Sequence, residues 1–151
     1  MKLEIFTDGG CSGNPGPSAI GVVIKDGAKT VKTVSRAIGQ GTNNIAEYTA
    51  LIIALQEALI LKADEISVKT DSELMSKQVS GAYAVKHENI KPLFDQVKHL
   101  ITGFKTFQIT HVPREQNAEA DALVRQVLKK ASQDGRSDAY GVGEESPSSK
   151  G

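Results

Sequence analysis

Four carboxylates, Asp8, Glu47, Asp71 and Asp121, stand where strands end or helices begin, and that placement is the first sign of chemistry. Asp8 ends an alternating apolar stretch, and Glu47 lies in the first turn of a strongly apolar helix. Asp71 closes a short strand carrying Ile66 and Val68, and Asp121 lies in the first turn of the last helix. Each acid also has a local explanation. Asp8-Gly9 suits a turn, Glu47 the far half of a capping box from Asn44, Asp71 a cap beside Ser72, and Asp121 a match to the helix dipole. In an α/β domain, however, strand ends and helix starts converge on one edge of the sheet. Four acids crowded there repel one another, and no matching cluster of Lys or Arg accompanies them. Hard divalent cations, Mg²⁺ or Mn²⁺, relieve that repulsion because they prefer oxygen ligands. Two such ions about 4 Å apart suit in-line attack of water on a phosphodiester.

The elements that must position these acids can be read along the chain. Residues 2–8 read as a strand, and the Gly- and Pro-rich stretch 9–17 as a loop. Ala19 to Lys25 and roughly Thr30 to Ile38 form a hairpin turned at Asp26-Gly27. Asn43-Asn44 offer an N-cap for a helix reaching about Leu61, apolar nearly all round and therefore buried. Glu65 to Thr70 is a short strand, followed by a brief helix over about Ser72 to Val79. Ile90, Leu93, Phe94, Val97, Leu100 and Ile101 recur at helical spacing, so one face of about 88–102 is expected to pack on a sheet. Thr106 to Val112 is the last strand, ended by Pro113, and Asn117 is a candidate cap for the final helix. Three leading strands as a meander, then two alternating with helices, give a mixed sheet covered by helices.

Size and composition set the limits. The 151 residues make one domain's worth of chain, with 39% hydrophobic and 24% charged residues. Net charge is zero, with 16 Lys and Arg against 14 Asp and Glu over residues 1–130. Composition permits a phosphate-bearing partner without demanding one, since acids that hold metals do not oppose it. The single cysteine, Cys11, excludes an internal disulfide and points to a reducing, cytoplasmic setting. No apolar run is long enough to span a membrane, and no signal pattern opens the sequence. Residues 131–151, polar and nearly free of large apolar groups, are expected to be a disordered tail after a domain spanning 1–130.

Several stretches together resemble the type 1 ribonuclease H family. They are Ile5-Phe6-Thr7-Asp8-Gly9-Gly10 with Gly13-Asn14-Pro15-Gly16-Pro17, then Thr42-Asn43-Asn44-Ile45-Ala46-Glu47, and Thr70-Asp71-Ser72. His111-Val112-Pro113-Arg114-Glu115-Gln116-Asn117, running to Ala120-Asp121-Ala122-Leu123, completes the set. Each is weak alone, but four in order over about residues 3–130 are specific. The resemblance implies a ribonuclease H-like α/β fold, a five-stranded mixed sheet with helices on both faces. It implies a metal-dependent endonuclease that hydrolyses the RNA strand of RNA/DNA hybrids, leaving 5′-phosphate and 3′-hydroxyl ends. Asp8 would then bridge two Mg²⁺ or Mn²⁺ ions, Asp121 help hold the ion that activates water, and Glu47 and Asp71 the ion at the leaving oxygen. Cys11, Asn14, Asn43 and Asn44 match positions near the minor groove, where the ribose 2′-hydroxyl separates RNA from DNA. Helix capping by Asn43 or Asn44, and a filler role for Cys11, are compatible with that reading. A monomer with no membrane partner is expected.

The chain departs from well-known members at several points. It lacks a long basic protrusion between Asp71 and the helix at 88–102, where Lys77, Lys86 and Lys91 read as solvated charges. Glu73 stands where a neutral amide is common. The resemblance begins at the first strand, so no hybrid-binding module is expected before it. His111 is in register with a histidine that some members use in proton transfer, yet Val112-Pro113 follow it and a lone histidine is more often structural, fixed here at a strand end. Arg114 fits a phosphate contact and a solvated rim charge equally well. The glycines at 9–16 lack the Gly-Lys-Ser/Thr of a P-loop, Asn44 replaces the third glycine of a dinucleotide pattern after Gly39-Gln40-Gly41, and Asp8-Gly9-Gly10 is not the Asp-x-Glu of related exonucleases. A non-catalytic hybrid-binding protein on the same fold is the alternative, and the presence of all four acids argues against it.

Overall fold

Leu3 and Ile5 alternate with Glu4 and Phe6, and a strand that must bury both of its faces takes the middle of a sheet. The computed structural model describes residues 1–133. Its strands are β1 (Lys2–Cys11), β2 (Gly16–Asp26), β3 (Lys29–Gly41), β4 (Glu65–Thr70) and β5 (Thr106–His111). Its helices are α1 (Asn43–Ile60), α2 (Glu73–Val79), α3 (Lys91–Ile101) and α4 (Ala118–Gln133), the last preceded by a 3-10 turn, Arg114–Asn117. The sheet order is β3-β2-β1-β4-β5, with β1, β2 and β3 antiparallel and β4 and β5 parallel to β1. The expected five-stranded mixed sheet with helices on both faces is present.

α1 covers the face that carries Leu3, Ile5, Ile20, Val22 and Ile24, and adds Tyr48, Leu51, Ile52 and Leu55 to one core. Leu51 and Leu55 are fully buried, worth about 1.5–3 kcal/mol each. α4 lies on the opposite face, against β2, β1 and β3, through Ala120 and Val124. α3 corrects one expectation: it packs chiefly against α1 rather than the sheet, with Val97 buried between them, and it starts at Lys91.

Four local boundaries also shift. The stretch 9–17 is mostly strand, since Gly9, Gly10 and Cys11 pair with Ile20, Ala19 and Ser18. Gly9 and Gly10 answer to helices pressing on the sheet, while Gly13, at φ +86°, and Gly16, against the Ser12 carbonyl, serve the bend at 12–15. The hairpin turns at Gly27-Ala28, where Gly27 takes φ +64°, a left-handed conformation that glycine adopts without steric penalty. α1 is capped by Thr42, whose extended backbone lets its hydroxyl accept from the Ile45 N–H at 3.2 Å, so Asn43 and Asn44 already lie inside the helix. At the other end α4 runs to Gln133, three residues past the expected domain limit, with Ala131 buried. The rest of the expected tail, 134–151, lies outside the described residues.

Candidate active site

Asp8 pairs across the sheet with Gly21, on the β1 face that α4 covers. A Cβ on Gly21 would sit 2.4 Å from the Ala120 carbonyl oxygen, so only glycine admits the first turn of α4 here. That turn carries Asp121 towards Asp8. The other face repeats the device. A Cβ on Gly9 would sit 2.3 Å from the Ala46 backbone, and its absence lets α1 bring Glu47 to the strand. The Gly9 N–H then donates to Glu47 Oε1 at 3.2 Å. Asp71 leaves the end of β4, beside β1 in the sheet.

Carboxylate oxygens of Asp8, Glu47 and Asp71 lie within 4.8 Å of one another. Asp121 stands outside that trio, with Oδ2 held at 2.8 Å by Arg125 Nε, one helical turn on. It is still close enough to act on Asp8. Burial first, then the charges of Asp71 and Asp121 and a hydrogen bond with Asp121, push the Asp8 carboxyl up to about 8. Burial and the charges of Asp8 and Asp71 push Glu47 well above the usual carboxylate range, against the opposing pull of the Gly9 N–H and Arg114. A site that forces acids to keep protons lacks positive charge. Among the described residues Asp71 Oδ1 is buried with no hydrogen-bond donor, and Oδ2 pairs with the exposed Arg114 at 3.6 Å. A cluster of oxygen ligands with one oxygen left unpaired fits a hard divalent cation.

The expected recognition residues form the rim. Asn43 Oδ1 accepts from the Cys11 N–H and the Cys11 thiol, each at 3.2 Å, and the Asn43 N–H donates to Asn14 Oδ1 at 3.1 Å. Burial raises the thiol pKa, which keeps Cys11 a donor. Asp8, Cys11, Asn43, Glu47, Arg114 and Asp121 line an acidic cleft, together with Asp71. Asn43 is shared with an adjoining groove, lined also by Asn14, Thr42, Asn44, His87 and Asn89. His111 ends β5, exposed, in register with Thr70, and does not line the cleft.

Sequence reasoning missed His87 and Asn89, which no spacing rule ties to the asparagines upstream. It also missed Gly21, although an isolated glycine inside a strand is a signal of close approach. Asn117 was expected to cap α4. Instead it is 1% exposed and its Nδ2 donates to the Thr7 carbonyl at 2.8 Å. The 3-10 turn before α4 takes over the entry to the helix, freeing that amide to reach the sheet.

The chain resembles known proteins over nearly all its described length. A family model described as reverse transcriptase-like matches residues 6–127. A bifunctional protein of Mycobacterium tuberculosis is 39% identical across 100% of this chain, which covers 43% of that protein. This chain therefore spans less than half the length of that curated relative. The crystal structure of RNase H1 from the archaeon Halobacterium salinarum superposes with a TM-score of 0.84 at 39% identity, over 87% of this chain and 100% of that one. LC11-RNase H1, solved in complex with an RNA/DNA hybrid, gives a TM-score of 0.80 at 43% identity, over 85% and 98%.

Proposed function

Because this chain belongs to the type 1 ribonuclease H family, we propose that it is a ribonuclease H, an endonuclease that hydrolyses the RNA strand of RNA/DNA hybrids to 5′-phosphate and 3′-hydroxyl ends. The observation that carries this reading is the trio Asp8, Glu47 and Asp71, with carboxylate oxygens within 4.8 Å and one Asp71 oxygen buried unpaired. Divalent cations, Mg²⁺ or Mn²⁺ and two during catalysis, supply Lewis acidity when bound, activating water and offsetting charge on the phosphate. Asp8, Glu47, Asp71 and Asp121 are the residues that would hold them. Asp8 belongs to both halves of the site, since it touches the α1-borne acid cluster and feels Asp121 on α4. No side chain need serve as nucleophile. His111, exposed at the end of β5 and outside the residues that line the cleft, is the side chain left for a role in proton transfer.

Recognition falls to Cys11, Asn14, Asn43 and Asn44, with Arg114 as a phosphate contact. Amide side chains both donate and accept, which suits a ribose 2′-hydroxyl in a wide, shallow minor groove. The partner is the hybrid duplex, bound by a monomeric, cytoplasmic protein. Among the described residues no helix is long and apolar enough to cross a membrane. Hybrid binding without catalysis is the weaker reading, because it gives no use to clustered acids whose ionisation is opposed by burial.

A hybrid whose RNA strand carries a central patch of 2′-deoxy sugars tests ribose reading. Each lost hydrogen bond is worth about 1 kcal/mol, so three together slow cleavage in the patch by about two orders of magnitude. Fragments that map inside the patch at the rate seen outside it would contradict the reading.

A further inference from the structure

A buried carboxamide joins the two segments that bear Asp8 and Asp121. Asn117 is 1% exposed, and its Nδ2 donates to the carbonyl of Thr7 at 2.8 Å, across 110 residues of sequence. Thr7 precedes Asp8 directly, and Asn117 lies one helical turn before Asp121. One hydrogen bond thus couples the backbone of the central strand to the start of α4, at the point where each presents its acid.

The chemistry at this position is costly and selective. Asn117 Oδ1, the atom that an N-cap would use, is buried without a partner among the described residues, and so is Thr7 Oγ1. An apolar side chain of the same size would avoid burying that unpaired oxygen. What an apolar side chain cannot supply is a donor aimed at Thr7. The carbonyl needs one because β4 ends at Thr70, level with Thr7, so the ladder runs out there. Two other contacts restrain this end of α4, the Ala120 carbonyl lying against Gly21 and the ion pair of Lys25 Nζ with Glu119 at 2.7 Å. The first limits how close the helix comes and the second joins β2 to an exposed side chain, whereas the amide ties α4 to the residue that directly precedes Asp8.

We infer that Asn117 is a positioning residue that sets Asp121 against Asp8 through its hydrogen bond to the Thr7 carbonyl. The inference rests on the reading of these acids as cation ligands. A tie of this kind orients ligands without touching the ion, and its loss typically weakens metal affinity by about tenfold to a hundredfold.

The test is Mn²⁺ binding by calorimetry, without substrate, to the parent, Asn117→Leu and Val97→Ala. Val97 is buried on α3, which contributes no residue to the acidic cleft, and serves as the control for lost stability. N117L should bind Mn²⁺ about tenfold or more weakly, with kcat reduced and KM for hybrid little changed. V97A should melt earlier yet bind Mn²⁺ as the parent does. If N117L does not fold, Asn117→Ser, whose hydroxyl is too short to reach Thr7, is measured the same way. Parental Mn²⁺ affinity in the Asn117 variant overturns the inference while leaving the cation site standing. Equal loss of affinity in V97A also overturns it, since stability alone would then explain the effect. Failure of the parent itself to bind Mn²⁺ overturns the cation site and the inference together.

Discussion

The Gly9 N–H donates to the Glu47 carboxylate across 3.2 Å, on the face of β1 opposite the one where Gly21 seats α4. Two glycines on two faces of the sheet thus admit the two helices that carry acids to Asp8. A Cβ at either position would meet helix backbone at 2.3–2.4 Å. Gly9→Ala and Gly21→Ala are expected to lose about 1–3 kcal/mol or more from overpacking and to lose activity. Gly27→Ala meets nothing within 4 Å but holds φ +64°, so it should lose about 1–2 kcal/mol and keep its activity. Denaturant unfolding with parallel cleavage assays separates the cases. A fully active G9A would mean that α1 does not need this approach.

Asp8→Asn should remove catalysis and spare the fold. Asp8 is in contact with the other acids of the site, so its loss should raise the barrier by at least about 4 kcal/mol, roughly a thousandfold in rate. Neutralising one of several repelling acids should leave the melting temperature unchanged or higher without metal. A mutant that unfolds, or that retains substantial activity, would count against the assignment.

The same repulsion predicts an unusual pH dependence for the metal-free protein. The Asp8 carboxyl moves from 3.8 up to about 8 on folding, and Glu47 moves in the same direction. The folded state therefore keeps protons that the unfolded chain releases. The stability this brings is complete below about pH 4 and is lost as pH rises through about 8. Melting temperatures in EDTA should fall across that window, and D8N should flatten the slope. A parent whose stability rises across it would contradict the clustering of the acids.

Much of this was legible in the sequence because period and punctuation are local signals. Alternation around Leu3 and Ile5 marked β1, and the uniformly apolar run from Leu51 to Leu55 marked a buried helix. Glu65–Thr70 falls where the reading put it. Asp71 and Asp121 could be singled out because ends of elements are visible in sequence. Asp8 lies three residues inside the end of β1 and Glu47 just past the first turn of α1, against the reading of both as terminal. The spacing of the four acids was not visible, since it depends on how closely helices approach Gly9 and Gly21. Asn117 was misread for the same reason: its partner lies 110 residues away, and only a cap was within local reach. The glycines of 9–17 look like a loop by composition, yet Gly9 and Gly10 lie in β1 under two helices, and the bend is confined to residues 12–15.

Helix capping gives a direct check on one correction. Thr42, not Asn43 or Asn44, supplies the side chain that caps α1, accepting from the Ile45 N–H at 3.2 Å. Thr42→Ala should therefore cost about 0.5–2 kcal/mol, while Asn44→Ala should be nearly silent in unfolding and felt in cleavage of hybrid. Urea titration of both variants decides it. A larger loss from N44A would return the cap to the asparagine.

These acids are expected to make a cation-dependent cleaver of RNA paired with DNA. This is tested by incubating the protein with end-labelled RNA/DNA, RNA/RNA, DNA/DNA and single-stranded RNA, each in Mg²⁺, Mn²⁺ or EDTA, and resolving both strands. The RNA strand of the hybrid should shorten to 5′-phosphorylated fragments with a divalent cation present, while its DNA strand and DNA/DNA stay intact. Cutting in EDTA, or an intact hybrid in both Mg²⁺ and Mn²⁺, would contradict the account.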